Sequence, residues 1–167
     1  MNLIVTAGRG GALLNWGAGA RRAAIGPGGI AVKGGEGDGI TPRGLFPVRE
    51  ILYRADRLVS PRTRLPLRAI QDDDGWCDAP DDPNYNRFVK LPYPASAEKM
   101  WREDHLYDLL AVLGYNDDPV VPGKGSAIFM HLAKPDYSAT QGCVAMAMDD
   151  LLAAIEQLRP GDQVAIG

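Results

Sequence analysis

The chain has 167 residues, a formal net charge of -3 and 46% hydrophobic residues. That length fits one domain with a sizeable core, so a single domain over residues 1–167 is expected. There is no basic excess of the kind nucleic-acid binding requires, no block of like charge, and no window near the roughly 18 apolar residues of a membrane helix. Twenty Gly and 13 Pro imply many turns and short elements, which favours β architecture over a helical bundle. Two cysteines, Cys77 and Cys143, make neither a disulfide framework nor a zinc quartet and are expected as free thiols.

The N-terminal eight residues carry an apolar run too short for a secretory h-region and no basic n-region, so no export signal is expected. Residues 3–6 read as a first strand, 12–16 as its hairpin partner, and 21–25 and 30–33 as further strands. A Gly-rich loop over 34–39 lacks the spacing of a phosphate-binding loop and opens no helix. It leads into Thr41-Pro42-Arg43-Gly44-Leu45-Phe46, in which Pro fixes φ, Gly frees it and Phe anchors a turn. Strand character continues over 48–59 and returns over 67–71. Residues 72–83 form an acidic stretch without the alternate spacing of a calcium loop, and read as a solvated loop. Trp76 beside it is a candidate cleft residue, with core packing as the alternative.

Residues 96–102 suit a short helix capped by Ser96. Residues 106–113 are apolar enough for helix or strand, and periodicity does not decide between them. The stretch 125–145 follows, GSAIFMHLAKPDYSATQGCVA. A buried strand delivers His131, a polar loop turns the chain, and Gln141-Gly142-Cys143 brings a thiol back beside the imidazole. An unperturbed thiol, with a pKa of about 8.5, is only a few per cent thiolate at pH 7, and a nearby imidazole can take its proton. The N–H groups of Gly142 and Cys143 can face a developing oxyanion. Taken alone, a His and a Cys at this spacing read by default as structural residues, the Cys as a small buried hydrophobe. Asp149 or Asp150 is expected to cap a last helix running to Leu158, which Pro160-Gly161 stops, and residues 163–166 close the chain as a strand.

His131, then a loop, then Thr140-Gln141-Gly142-Cys143 resembles the catalytic motif of the L,D-transpeptidases of the YkuD type. The TPxGxF turn at 41–46, Tyr107-Asp108 leading to Gly114-Tyr115-Asn116, and the closing helix and strand are similar as well, so the resemblance covers about 32–166. Gln141 stands where that family usually has a second His, and Ala145 where an Arg or Asn usually follows. The resemblance implies a mainly β, sandwich-like fold with one or two short helices, and a strand over 106–113. It further implies acyl transfer through a thioester. Cys143 attacks a stem peptide, His131 moves the proton, and backbone N–H groups at Gln141, Gly142 and Cys143 hold the oxyanion. Gln141, Thr140, Asn116, His105 and Trp76 are the candidate substrate contacts. The implied partners are peptidoglycan stem peptides, with no metal, no cofactor, no nucleic acid and no membrane segment, acting as a monomer in the periplasm or cell envelope. Acylation by carbapenems is implied too. A Cys hydrolase that trims stem peptides and a non-catalytic wall-binding module are the alternative readings.

Overall fold

The computed structural model describes residues 2–17 and 19–167. Met1, where the N-terminal reading begins, lies outside the described residues. The chain opens as an antiparallel meander of β1 (Asn2–Gly8), β2 (Gly11–Asn15) and β3 (Ala20–Ala24). Leu3, Val5, Ala12 and Leu14 are buried while Ile4 and Leu13 are exposed, the period-2 alternation of strands with one covered face. The short strands β4 (Ile30–Ala31) and β5 (Thr41–Pro42) pair across the Gly-rich loop. Next comes β6 (Gly44–Tyr53). It stops short of the expected residue 59 because the chain turns back on itself: the N–H groups of Arg57 and Leu58 donate to the Arg54 carbonyl at 3.0 and 2.8 Å.

A second correction concerns residues 72–102. They supply β8 (Asp74–Cys77), β9 (Phe88–Lys90) and β10 (Ala97–Lys99), a three-stranded sheet in the order β10-β8-β9, preceded by β7 (Leu67–Ala69). The expected helix over 96–102 is therefore a strand. Antiparallel pairing of Ala97 with Cys77, Glu98 with Trp76 and Lys99 with Gly75 outweighs the local helical preference, which is a weak prior against such a ladder. The acidic stretch is not wholly solvated either. Asp74 is 1% exposed and accepts from Gln71 N–H, Arg68 and Lys90 at 2.9, 2.8 and 2.7 Å. Burial pushes its carboxyl up, but those three donors together hold it below the usual carboxylate range.

The remaining elements are β11 (Leu109–Leu113), β12 (Phe129–Leu132), β13 (Val144–Met146), α1 (Met148–Gln157) and β14 (Gln163–Ile166). The fold is mainly β with one short helix, and no helix of the described residues is long and apolar enough to cross a membrane. Ala147, not an Asp, sits at the N-cap of α1. Asp149 and Asp150 lie in its first turn, where their charge favours the helix dipole. The large sheet runs β11-β12-β13-β3-β2-β1-β14-β6-β7, and an additional pairing of β11 with β6 closes it into a barrel-like ring. The interior holds Leu3, Leu14, Val144, Met146 and the Leu151, Ile155 and Leu158 face of the helix.

Strands β11 and β12 are covered on both faces, which is why 106–113 and 127–130 read as apolar runs without periodicity. Leu109 and Ala111 face the barrel interior, while Leu110 and Val112 face a second cluster with Leu52, Trp76, Tyr107 and Phe129. On β12, Met130 and Leu132 take the first face. Phe129 takes the second, in one cluster with Cys143, and by alternation His131 shares that face.

One buried side chain ties the second cluster to the loops around it. Asn86 Oδ1 accepts from Trp76 Nε1 and from the Ala127 N–H, each at 3.0 Å. Its Nδ2 donates to the carbonyls of Tyr115 and Asn116 at 2.9 and 2.8 Å. Its φ of 56 lies in the left-handed region, where Asn is better tolerated than most residues. Asn86→Ala strands four polar groups, and is expected to cost about 3 kcal/mol or more in urea denaturation. The exposed neighbour change Asn84→Ala should stay within about 0.5 kcal/mol.

Candidate active site

Parallel pairing of β12 with β13 sets Met130 against Val144, His131 against Ala145 and Leu132 against Met146. Cys143 immediately precedes β13 and so lies beside Phe129. The Phe129 N–H points at Cys143 Sγ at 3.3 Å, and the thiol donates to the Ala127 carbonyl at 3.2 Å. His131 Nδ1 lies 2.9 Å from the Leu132 carbonyl. A carbonyl only accepts, so Nδ1 carries the proton and Nε2 keeps its lone pair. The Tyr107 ring meets the imidazole edge-on at 5.4 Å between centroids. Thiol and imidazole line one cavity of about 660 Å³, together with Thr140, Gln141, Glu98, Arg102 and Tyr107.

Both members of the pair are uncharged at rest. Burial pushes the Cys143 thiol up to about 12; the Phe129 N–H pulls the other way and the Glu98 carboxylate adds to the rise. Burial lowers His131 to about 4 against its bond to the Leu132 carbonyl, and the Arg102 charge lowers it further. This is a neutral thiol beside a neutral imidazole, with the imidazole in the tautomer that accepts a proton through Nε2. Cys77 is fully buried on β8; burial first, then the carboxylates of Asp82 and Asp78, raise its thiol as well.

The turn bearing Cys143 is clasped by Thr140, whose hydroxyl donates to the Cys143 carbonyl at 2.7 Å and accepts from the Gly142 N–H at 3.1 Å. The Gly142 N–H is thus engaged, a correction to its expected part in an oxyanion hole. Gly142 has φ 129, and a Cβ there would stand 2.9 Å from the Ile40 carbonyl oxygen. The turn is therefore pressed against the start of the Thr41-Pro42 segment, whose Thr41 hydroxyl accepts from the Gly26 N–H at 2.9 Å.

Three expected substrate contacts lie elsewhere. Trp76 is 8% exposed, bonded to Asn86 and packed edge-on against Phe129, so it is a core residue. Asn116 pins its own loop, with Nδ2 donating to the Val121 and Gly125 carbonyls at 3.0 Å each. His105 is largely exposed and pairs with Asp108 at 2.7 Å, away from the cavity wall. Sequence reading missed Glu98, Arg102 and Tyr107. The first two were hidden by the helical reading of 96–102, and Tyr107 was noted only as a landmark of resemblance.

The YkuD family model, the L,D-transpeptidase catalytic domain, matches residues 5–166. The chain belongs to that family. No curated protein and no solved structure matches it. The L,D-transpeptidase match starts well before the expected residue 32 and takes in the opening meander. That is consistent with β1 pairing parallel with the terminal strand β14.

The buried imidazole makes stability depend on pH. Below its ordinary 6.5 the unfolded chain binds a proton that the folded chain refuses until about pH 4. Stability is therefore lost as pH falls through that window, by roughly 3 kcal/mol in total. Denaturation of wild type and His131→Gln at pH 7 and pH 4.5 checks this: the acid loss should be smaller in the variant, and equal losses would contradict it.

Proposed function

We propose that residues 1–167 act as one peptidoglycan L,D-transpeptidase unit, with Cys143 as nucleophile and His131 as proton carrier. The reading is carried by one observation. A thiol on the residue just before β13, and an imidazole on its parallel partner β12 whose Nε2 keeps its lone pair, open on the same cavity. The reaction begins from the neutral pair. The thiol turns from the Ala127 carbonyl toward Nε2 and passes its proton there as sulfur attacks the carbonyl of the L-centre to D-centre peptide bond. The resulting imidazolium, still held by the Leu132 carbonyl, gives that proton to the leaving amine, a terminal D-amino acid. A thioester remains on Cys143. An acceptor amine then attacks it, and the sulfur recovers its proton through His131.

The N–H groups of Gln141 and Cys143 are the proposed oxyanion donors, with Thr140 holding the turn that carries them. Gln141 is exposed on the cavity wall and is the proposed substrate contact of the turn. The substrate places the reaction in the periplasm or cell envelope, on stem peptides, with the protein working as a monomer. A hydrolase differs only in that water replaces the amine, and product analysis with and without an acceptor separates the two.

Mass spectrometry of muropeptides incubated with the purified protein tests the reading. Cross-linked or exchanged product is expected from wild type, none from Cys143→Ser, and about 10² to 10⁴-fold slower acylation from His131→Ala. Turnover by the Ser variant near the wild-type rate would remove Cys143 from its role.

A further inference from the structure

A buried cation lines the same cavity as the thiol and takes no part in the proton transfer. The Lys33 side chain is 3% exposed. Its ammonium donates to Asp38 Oδ1 and, at 3.3 Å, to the Ile40 carbonyl. One of its three protons has no partner among the described residues. Asp38 also gathers the Gly-rich loop, accepting from the Gly34, Gly35 and Ile40 N–H groups at 2.8, 3.2 and 3.0 Å. Burial raises the Asp38 carboxyl, but Lys33 and those N–H groups hold it well below the usual carboxylate range. Two backbone segments in contact with the Cys143 turn rest on Lys33. The Ile40 carbonyl, which receives the ammonium, is the group against which Gly142 is pressed. A Cβ at Gly125, two residues before the Ala127 carbonyl that accepts the thiol, would collide with Lys33 Cε. Stability alone is a weak reason for a buried ion pair, since apolar residues in place of both partners often serve a fold as well.

We propose that Lys33 is a positioning residue for the acylation step. Its ammonium fixes the Ile40 carbonyl against the Gly142 turn and supplies positive charge for the negative charge that develops on sulfur. The inference rests on the acyl-transfer reading above and adds a residue to its machinery. In that step the Cys143 proton passes to His131 Nε2, the S–C bond forms, and the carbonyl π pair moves to oxygen. Sulfur carries most negative charge before the new bond is complete, in a site where desolvation opposes any charge. Glu98 disfavours a thiolate there and Lys33 favours it. Asp38 shares the Lys33 charge and so sets how much of it the sulfur feels. Lys33 keeps its own proton throughout, and the proton acceptor remains His131.

The experiment uses the whole protein carrying Cys77→Ser, so that Cys143 is the remaining thiol. Iodoacetamide at pH 8 alkylates it, sulfur displacing iodide as the thiol proton leaves, and mass spectrometry reads the rate. Lys33→Met should slow alkylation about 10-fold, the effect of roughly one pKa unit. Asp38→Asn, which leaves the ammonium charge less compensated, should speed it. The opposite signs separate the charge from mere anchoring, because losing an anchor loosens the Gly-rich loop in either variant. If Lys33→Met does not fold, Asp38→Asn alone decides, and a rate at or below that of the parent overturns the proposal. An unchanged rate in folded Lys33→Met, or shifts of the same sign in both variants, overturns it too. With a stem tetrapeptide as donor, Lys33→Met should slow thioester formation about 10-fold at saturating donor. Absence of any thioester on Cys143 in the parent protein overturns the acyl-transfer reading, and the role of Lys33 in acylation with it, whatever the alkylation rates.

Discussion

Three residue pairs, Met130 with Val144, His131 with Ala145 and Leu132 with Met146, fix where the chemistry can occur. Side chains alternate along a strand, so a slip of one residue in this register would send His131 to the barrel interior and Met130 to the cavity. The register is held because both faces of β12 are occupied: Met130 and Leu132 fill the barrel, and Phe129 fills the second cluster. The turn before β13 is then constrained by backbone contact rather than by side-chain bulk. Gly142 lies against the Ile40 carbonyl, and a Cβ at Gly26 would stand 3.2 Å from the Gly142 Cα. The glycines of this region serve close approach more than flexibility.

The same burial that places the pair also sets its protonation. Both groups are almost closed off from solvent, so each is driven toward its neutral form. A preformed thiolate and imidazolium would cost desolvation of two charges; the Lys33 charge favours a thiolate at Cys143, but burial outweighs it. The arrangement instead holds the imidazole, through the Leu132 carbonyl, in the tautomer that can accept a proton at Nε2. A carboxylate at Glu98 adds to this, since its charge disfavours a thiolate, while burial pushes the Glu98 carboxyl itself up.

Much of this was legible in the sequence. His131 and Cys143 announced themselves through an apolar strand followed by a glycine turn, and the opening and closing strands were plain from β-branched runs between Gly and Pro. The failures have specific physical causes. Ser96 through Arg102 suits a short helix capped by Ser96, yet three long-range pairings with β8 decide its conformation. Asp74 looked like one of a run of solvated acids, and only the folded chain brings Arg68 and Lys90 to it. Asn86 carries no motif at all. Its importance comes from four partners spread over Trp76, Tyr115, Asn116 and Ala127, which no local pattern foretells.

The proposed reaction requires that Cys143 rest as a neutral thiol. The direct measurement is the ultraviolet absorbance of thiolate against pH, in Cys77→Ser protein so that one thiol remains. Cys143 is expected to stay protonated throughout the neutral range and to titrate far above it, toward the value of about 12 that its burial imposes. Thiolate appearing between pH 4 and 7 in step with an imidazolium would contradict the neutral pair and the proton path derived from it.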